Sequence, residues 1–224
     1  MKSVILLICV TFLITGCAGV SLNAKYDIGL VRVEKPKKVT ERYGGKEIVF
    51  TEEKKYIYED GLIKMIFMPS AHQINFIAEN KTDYSLKIVW DECVYVDING
   101  ASHRVIHSGV RYIDRNNPQA PSIIASKSNL TDMIYPSDYV EWGSGYYGSE
   151  WKERPLFPTS SYLVMTTTKE TENAKEDFKN TIDRFKDKEF SIVMPIKVEE
   201  TINEYRFVFK IKDATVYMIN NYTK

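Results

Sequence analysis

Between Glu204 and Lys212 the chain alternates without a break. Tyr205, Phe207, Phe209 and Ile211 fill one set of positions, and Arg206, Val208, Lys210 and Lys212 the other. A period of two belongs to an extended strand, whose successive side chains point to opposite faces. A strand with four large apolar residues on one face has to bury that face. The rhythm recurs at 85–90, where Leu86, Ile88 and Trp90 share a side and Lys87 takes the other. It is punctuated by Asp60-Gly61 and Asn99-Gly100, dipeptides suited to tight turns that need positive φ. The spacing predicts hairpins from 55–59 with 62–68, from 74–79 with 85–90 through the longer loop 80–84, and from 94–98 with 102–106. Further strand candidates fall at 109–113, 122–125, 129–135, 162–167, 189–198 and 214–219, with a short one inside 28–33.

The only helical period lies in 169–188. Phe178, Ile182 and Phe185 recur at i, i+4 and i+7 among charged residues, which predicts a short amphipathic helix with a narrow apolar seam and Asn173 as its N-cap. Residues 139–161 hold Trp142, Gly143, Gly145, Tyr146, Tyr147, Gly148, Trp151, Pro155 and Pro158, and read as a long glycine- and aromatic-rich loop. With no strand–helix alternation, the predicted fold is mainly β. Its default form is an antiparallel two-sheet β-sandwich of immunoglobulin-like type with one short helix. A barrel is the alternative, since strand count does not determine closure. Fifteen tyrosines and an aromatic content of 12% agree with that class. Residues 46–224 are assigned to a single domain.

The N-terminus reads as an address. Lys2 precedes an apolar run from Val4 to Ile14, long enough for a signal h-region and shorter than the roughly 20 residues of a membrane-spanning helix. The run ends in Ile14-Thr15-Gly16-Cys17, which resembles the lipobox of bacterial lipoproteins. The resemblance implies removal of residues 1–16 and a diacylglycerol thioether on Cys17. Two or three acyl chains, at about 0.8 kcal/mol per buried CH₂, hold a protein on a membrane permanently. Ala18 resembles an outer-membrane sorting signal in a Gram-negative host, which would place the chain facing the periplasm. Residues 17–45, with six basic residues against three acidic ones between Lys25 and Arg42, read as a lipidated tether. The body is similar only in architecture to lipoproteins carrying an immunoglobulin-like domain, a likeness that assigns no residue a role.

Chemistry is sparse. Thirty basic against thirty acidic residues lack the cationic excess of a nucleic-acid binder. His72, His103 and His107 are the only histidines, and His103 and His107 on one strand would stand ~13 Å apart, too far for one metal ion. No cofactor motif is present. Cys93, the one thiol left after removal of Cys9 and lipidation of Cys17, reads as a small strand residue beside Glu92, which disfavours a thiolate.

Two groups remain as candidate binding residues. Trp142, Tyr146, Tyr147 and Trp151 would make an aromatic platform for a glycan or a protein partner, or fold back to close one end of the fold. Arg111 and Arg115 would receive an anion, or bracket Asp114 to order their own loop. The leading expectation is a lipid-anchored, non-enzymatic protein that joins an envelope protein assembly. The alternatives are a peptidoglycan-binding module carried by the 142–151 loop and, behind it, a hydrolase recruiting His103, His107 or Cys93.

Overall fold

The fold is described from a computed structural model, which covers residues 19–35, 48–52, 55–164 and 168–221. The lipobox with Cys17, Ala18 and residues 36–45 of the predicted tether lie outside these residues. The strands are β1 (Gly19–Glu34), β2 (Ile48–Glu52), β3 (Lys55–Glu59), β4 (Ile63–Pro69), β5 (Ile74–Asn80), β6 (Leu86–Ile88), β7 (Val94–Val96) and β8 (Ser102–Ile106). They continue with β9 (Ser122–Ile124), β10 (Asn129–Pro136), β11 (Val140–Gly145), β12 (Gly148–Glu153) and β13 (Ser160–Val164). Helix α1 (Thr168–Asp183) then precedes β14 (Glu189–Val198) and β15 (Thr201–Asn221).

Thirteen of these strands form one antiparallel sheet in the order β13-β1-β15-β14-β7-β8-β10-β5-β4-β3-β2, with β6 beside β14 and β9 beside β6. Strand β8 is the link. Its first half pairs with β7 (Val94↔Arg104), and its end pairs with β10 (Tyr135↔Ile106). The sheet curls there into a half barrel, bringing β3–β4 over β15. Phe67 lies 4.7 Å from Phe207 and 5.3 Å from Phe209 by ring centroids, and Tyr58 lies 5.8 Å from Phe207. The alternating apolar set read at 205–211 is thus the floor of the core: Tyr205, Phe207, Phe209 and Ile211 are all buried. Among the described residues no ladder joins β2 to β13, and the curled half barrel agrees in part with the barrel alternative.

The predicted tether is corrected in part. Residues 19–34 are a strand, paired with β15 from Gly19↔Asn221 to Glu34↔Arg206. Up to Leu30 its even-numbered residues supply an apolar face that the charges between them obscure, and past an irregularity at 30–32 Val33 takes over. Leu22 joins Phe178 and Ile182 in a small cluster, while Ile28 and Leu30 enter the main core. On β15 the same face switches from odd to even numbers across a bulge at Lys212, with Ile211 on one side and Ala214 and Val216 on the other. A bulge inserts one residue and restores the phase, which is why the sequence read as two strands and folds as one of 21 residues.

Other expectations are revised. Helix α1 begins at Thr168, so Asn173 lies within it and is not its cap. Residues 109–113 do not form a strand, since a 3₁₀ turn spans Tyr112–Asp114. The 80–84 loop does not close a hairpin: β5 pairs with β4 and β10, whereas β6 pairs with β14 and β9. Asn80 explains the crossing, because its amide donates to the carbonyls of Tyr84 and Ala125 (2.6 and 2.9 Å) while its oxygen accepts from the Thr82 N–H (2.8 Å). The loop's polar groups are satisfied locally, leaving the chain free to change layers.

The two Asx-Gly turns do join hairpins, by other means than primed turns. At Asn99-Gly100 only Gly100 takes positive φ (83°), and the Asp97 carboxylate accepts the N–H groups of Asn99 and Ala101 (both 2.8 Å). Asp60, 2% exposed, accepts four donors: the Leu62 and Ile63 N–H groups at 2.8 and 3.0 Å, and the Tyr58 and Tyr205 hydroxyls at 2.9 and 2.8 Å. It joins a turn of one layer to the floor of the other.

Candidate functional site

The segment 140–153 is not a loop. Strands β11 and β12 make a separate two-stranded ladder with Trp142 opposite Trp151 and Gly145 opposite Gly148, leaving Tyr146-Tyr147 as a two-residue turn. Glycines flanking that turn obscured its strand character in the sequence, yet the alternation of Trp142 with Ser144 opposite Trp151 with Ser149 was there to be paired. The turn residues do not fold back. Tyr146 and Tyr147 are 91% and 98% exposed, with rings perpendicular at 4.7 Å, and Trp142 is 58% exposed.

The base of the hairpin is held from several directions. Val140 is buried, the Arg154 N–H donates to the Tyr139 carbonyl (2.9 Å), and the Tyr135 hydroxyl donates to the Arg154 carbonyl (2.6 Å). The Arg154 guanidinium sits 3.8 Å over the Tyr139 ring. On the other strand Trp151 meets Trp142 edge to face at 5.2 Å and Tyr112 at 6.0 Å.

Here the two groups picked out in the sequence come together. Arg115 lies 4.9 Å over the Trp151 ring and donates to the Tyr112 carbonyl (2.9 Å). The Tyr112 hydroxyl donates to the Glu153 carboxylate. Burial, and then that carboxylate, push the Tyr112 phenol up to about 12. Arg111 is bracketed to Asp114 (2.7 Å), which also accepts from the Asn117 amide (3.1 Å). The 111–117 loop is therefore a built support for the hairpin, and its arginines are engaged within it.

His72 is exposed, whereas His103 and His107 pack against core rings. His107 stacks on Trp90 (4.3 Å, 4°) and bonds Asp132 (3.2 Å). Burial opposes the Asp132 carboxylate, but the hydrogen bonds from His107 and the Ser108 and Met133 amides hold its pKa below the usual carboxylate value. His103 Nδ1 bonds Asp138 (2.7 Å), and its Nε2 stands 3.7 Å from Asp97 with no hydrogen-bond partner. No serine or cysteine is engaged by that nitrogen. Cys93 is buried, and burial followed by the Glu92 charge pushes its thiol pKa upward, away from thiolate chemistry. Among the described residues no three His, Cys, Asp or Glu side chains converge as metal ligands.

Compared with protein-family models, curated proteins and solved structures, the chain matches none.

Proposed function

We propose that this chain is a lipid-anchored envelope protein, without enzymatic activity, that docks a protein partner through the β11–β12 hairpin. The observation that carries the docking role is the pair Tyr146-Tyr147, two large rings almost wholly exposed on a hairpin whose base is clamped by Tyr112, Arg115, Tyr139 and Arg154. Burying such rings against a partner yields a large apolar gain with little side-chain entropy to lose. The lipobox supplies the address, through diacylglycerol on Cys17, and Ala18 favours the outer membrane facing the periplasm in a Gram-negative host. The curled sheet is read as an immunoglobulin-like sandwich whose layers share β8.

A protein partner is preferred to peptidoglycan because of the rings' mutual geometry. Tyr146 and Tyr147 stand at 82°, and Trp142 and Trp151 at 66°, so neither pair offers the coplanar surface that stacks on a sugar. A hydrolase is disfavoured because the His103 Nε2 is buried without a hydroxyl or thiol bonded to it, and because Cys93 is buried.

The test is co-purification from crosslinked envelopes, comparing wild type with a Tyr146→Ala/Tyr147→Ala double variant and a Cys17→Ser form. A defined partner present with wild type and lost with both variants is the expected result. Glycan fragments recovered equally by wild type and the double variant would count against both docking roles of the hairpin.

A further inference from the structure

The ribbon of β1 and β15 ends at the pair Gly19↔Asn221. Only Ala18 separates Gly19 from Cys17, so the lipidated residue stands at most about 7 Å from the first strand residue. The sheet therefore begins where the anchor ends, with no spacer to lift it away from the bilayer. At this tip β15 carries three consecutive large apolar residues, Tyr217, Met218 and Ile219, exposed by 47%, 47% and 44%.

Their register puts apolar residues of β15 on both faces near this end, beside Ser21 and Asn23 of β1 on one of them. Met218 pairs with Leu22 on the side covered by α1, where Leu22 is buried against Phe178 and Ile182. Tyr217 and Ile219 pair with Asn23 and Ser21 and lie on the opposite side. A strand end in water is expected to be polar on at least one face. A strand end seated in lipid head groups has reason to be apolar on both, with Tyr at the interface. Ile219, opposite Ser21, is two residues along the ribbon from the Gly19 end. That is about 7 Å, so Ile219 stands at most about 14 Å from Cys17.

Resting on the lipid-anchored reading above, we infer that the tip of the β1–β15 ribbon is a membrane-seating surface. Tyr217, Met218 and Ile219 enter the interface of the leaflet that holds the Cys17 lipid, fixing the orientation of the whole sheet on that leaflet. The occupant is the phospholipid surface itself. The anchor alone fixes position; the seated tip adds orientation.

The experiment uses the mature lipidated chain reconstituted in phosphatidylethanolamine/phosphatidylglycerol vesicles. A nitroxide is placed at Ile219→Cys in one sample and at Tyr146→Cys in a second. Mass spectrometry of the N-terminal peptide establishes acylation of Cys17 independently. With Cys17 acylated, the label at 219 is expected to show several-fold higher accessibility to oxygen relative to a water-soluble nickel chelate than the label at 146. Equal, chelate-dominated accessibility at both positions overturns the seating while leaving the anchor intact. An unmodified Cys17 overturns the anchored reading and the inference with it. Immobilisation of the 219 label in detergent that grows with protein concentration would assign the tip to a second copy of the chain, and also overturns it.

Discussion

Asp60 shows how a single residue can carry both turn and core. Two amides of its own turn and two tyrosine hydroxyls from opposite layers converge on its carboxylate, so removal takes one acceptor from each of four buried donors. Asp60→Ala is expected to lower unfolding free energy by about 3 kcal/mol in urea titration, and Tyr58→Phe by about 1 kcal/mol. Asp132 makes a pH-dependent contribution. Its folded pKa is depressed below the unfolded value of about 3.9, so its stabilisation is present above that value and is lost as pH falls through the folded pKa. Thermal melts of wild type and Asp132→Asn should differ at pH 6, with the gap narrowing progressively as pH falls below about 4. A constant gap down to pH 3 would assign the difference to packing. These roles were only half legible. Asp60-Gly61 marked a turn correctly, but the burial of its carboxylate depends on Tyr205, 145 residues away, which no local pattern reports.

At the scale of elements, legibility followed the strength of the alternation. Strands β14 and β4, whose apolar residues recur with a clear period, were found nearly to their ends. Of strand β1 only the short piece within 28–33 was read, the rest being hidden by its charges, and β11–β12 was hidden by glycines that suggest loop. The hairpin's separation of roles yields a clear expectation. Tyr146→Ala/Tyr147→Ala should leave stability within about 0.5 kcal/mol of wild type, since both rings are in water. Trp151→Ala removes the ring held between Tyr112 and Arg115, and should destabilise the protein and speed amide exchange across 140–153. Helix α1 rests on a small cluster of its own. Ile182→Ala, at a fully buried site, should cost about 2–3 kcal/mol and raise exchange in α1 before the main sheet opens, as followed by hydrogen exchange.

At the scale of the molecule the class was readable and the path was not. Many short alternating segments and one helix imply an antiparallel β-protein, and that holds. Strand order depends on where Asn80 turns the chain between layers and on β8 pairing with β7 at one end and β10 at the other, both properties of long-range contacts. The candidate site was legible as residue types. The sequence could not show that the 111–117 loop underpins the aromatic hairpin. The proposal joins a lipid anchor on Cys17 to a sheet that starts two residues later and a hairpin carrying two exposed tyrosines. Its central claim is that those tyrosines meet a protein in the envelope. The most direct measurement replaces Tyr147 with a photoreactive phenylalanine analogue in the lipidated protein and irradiates intact cells. The account predicts one discrete protein adduct, weakened when Tyr146→Ala is added. An adduct pattern unchanged by that second substitution, or crosslinking confined to glycan, would contradict it.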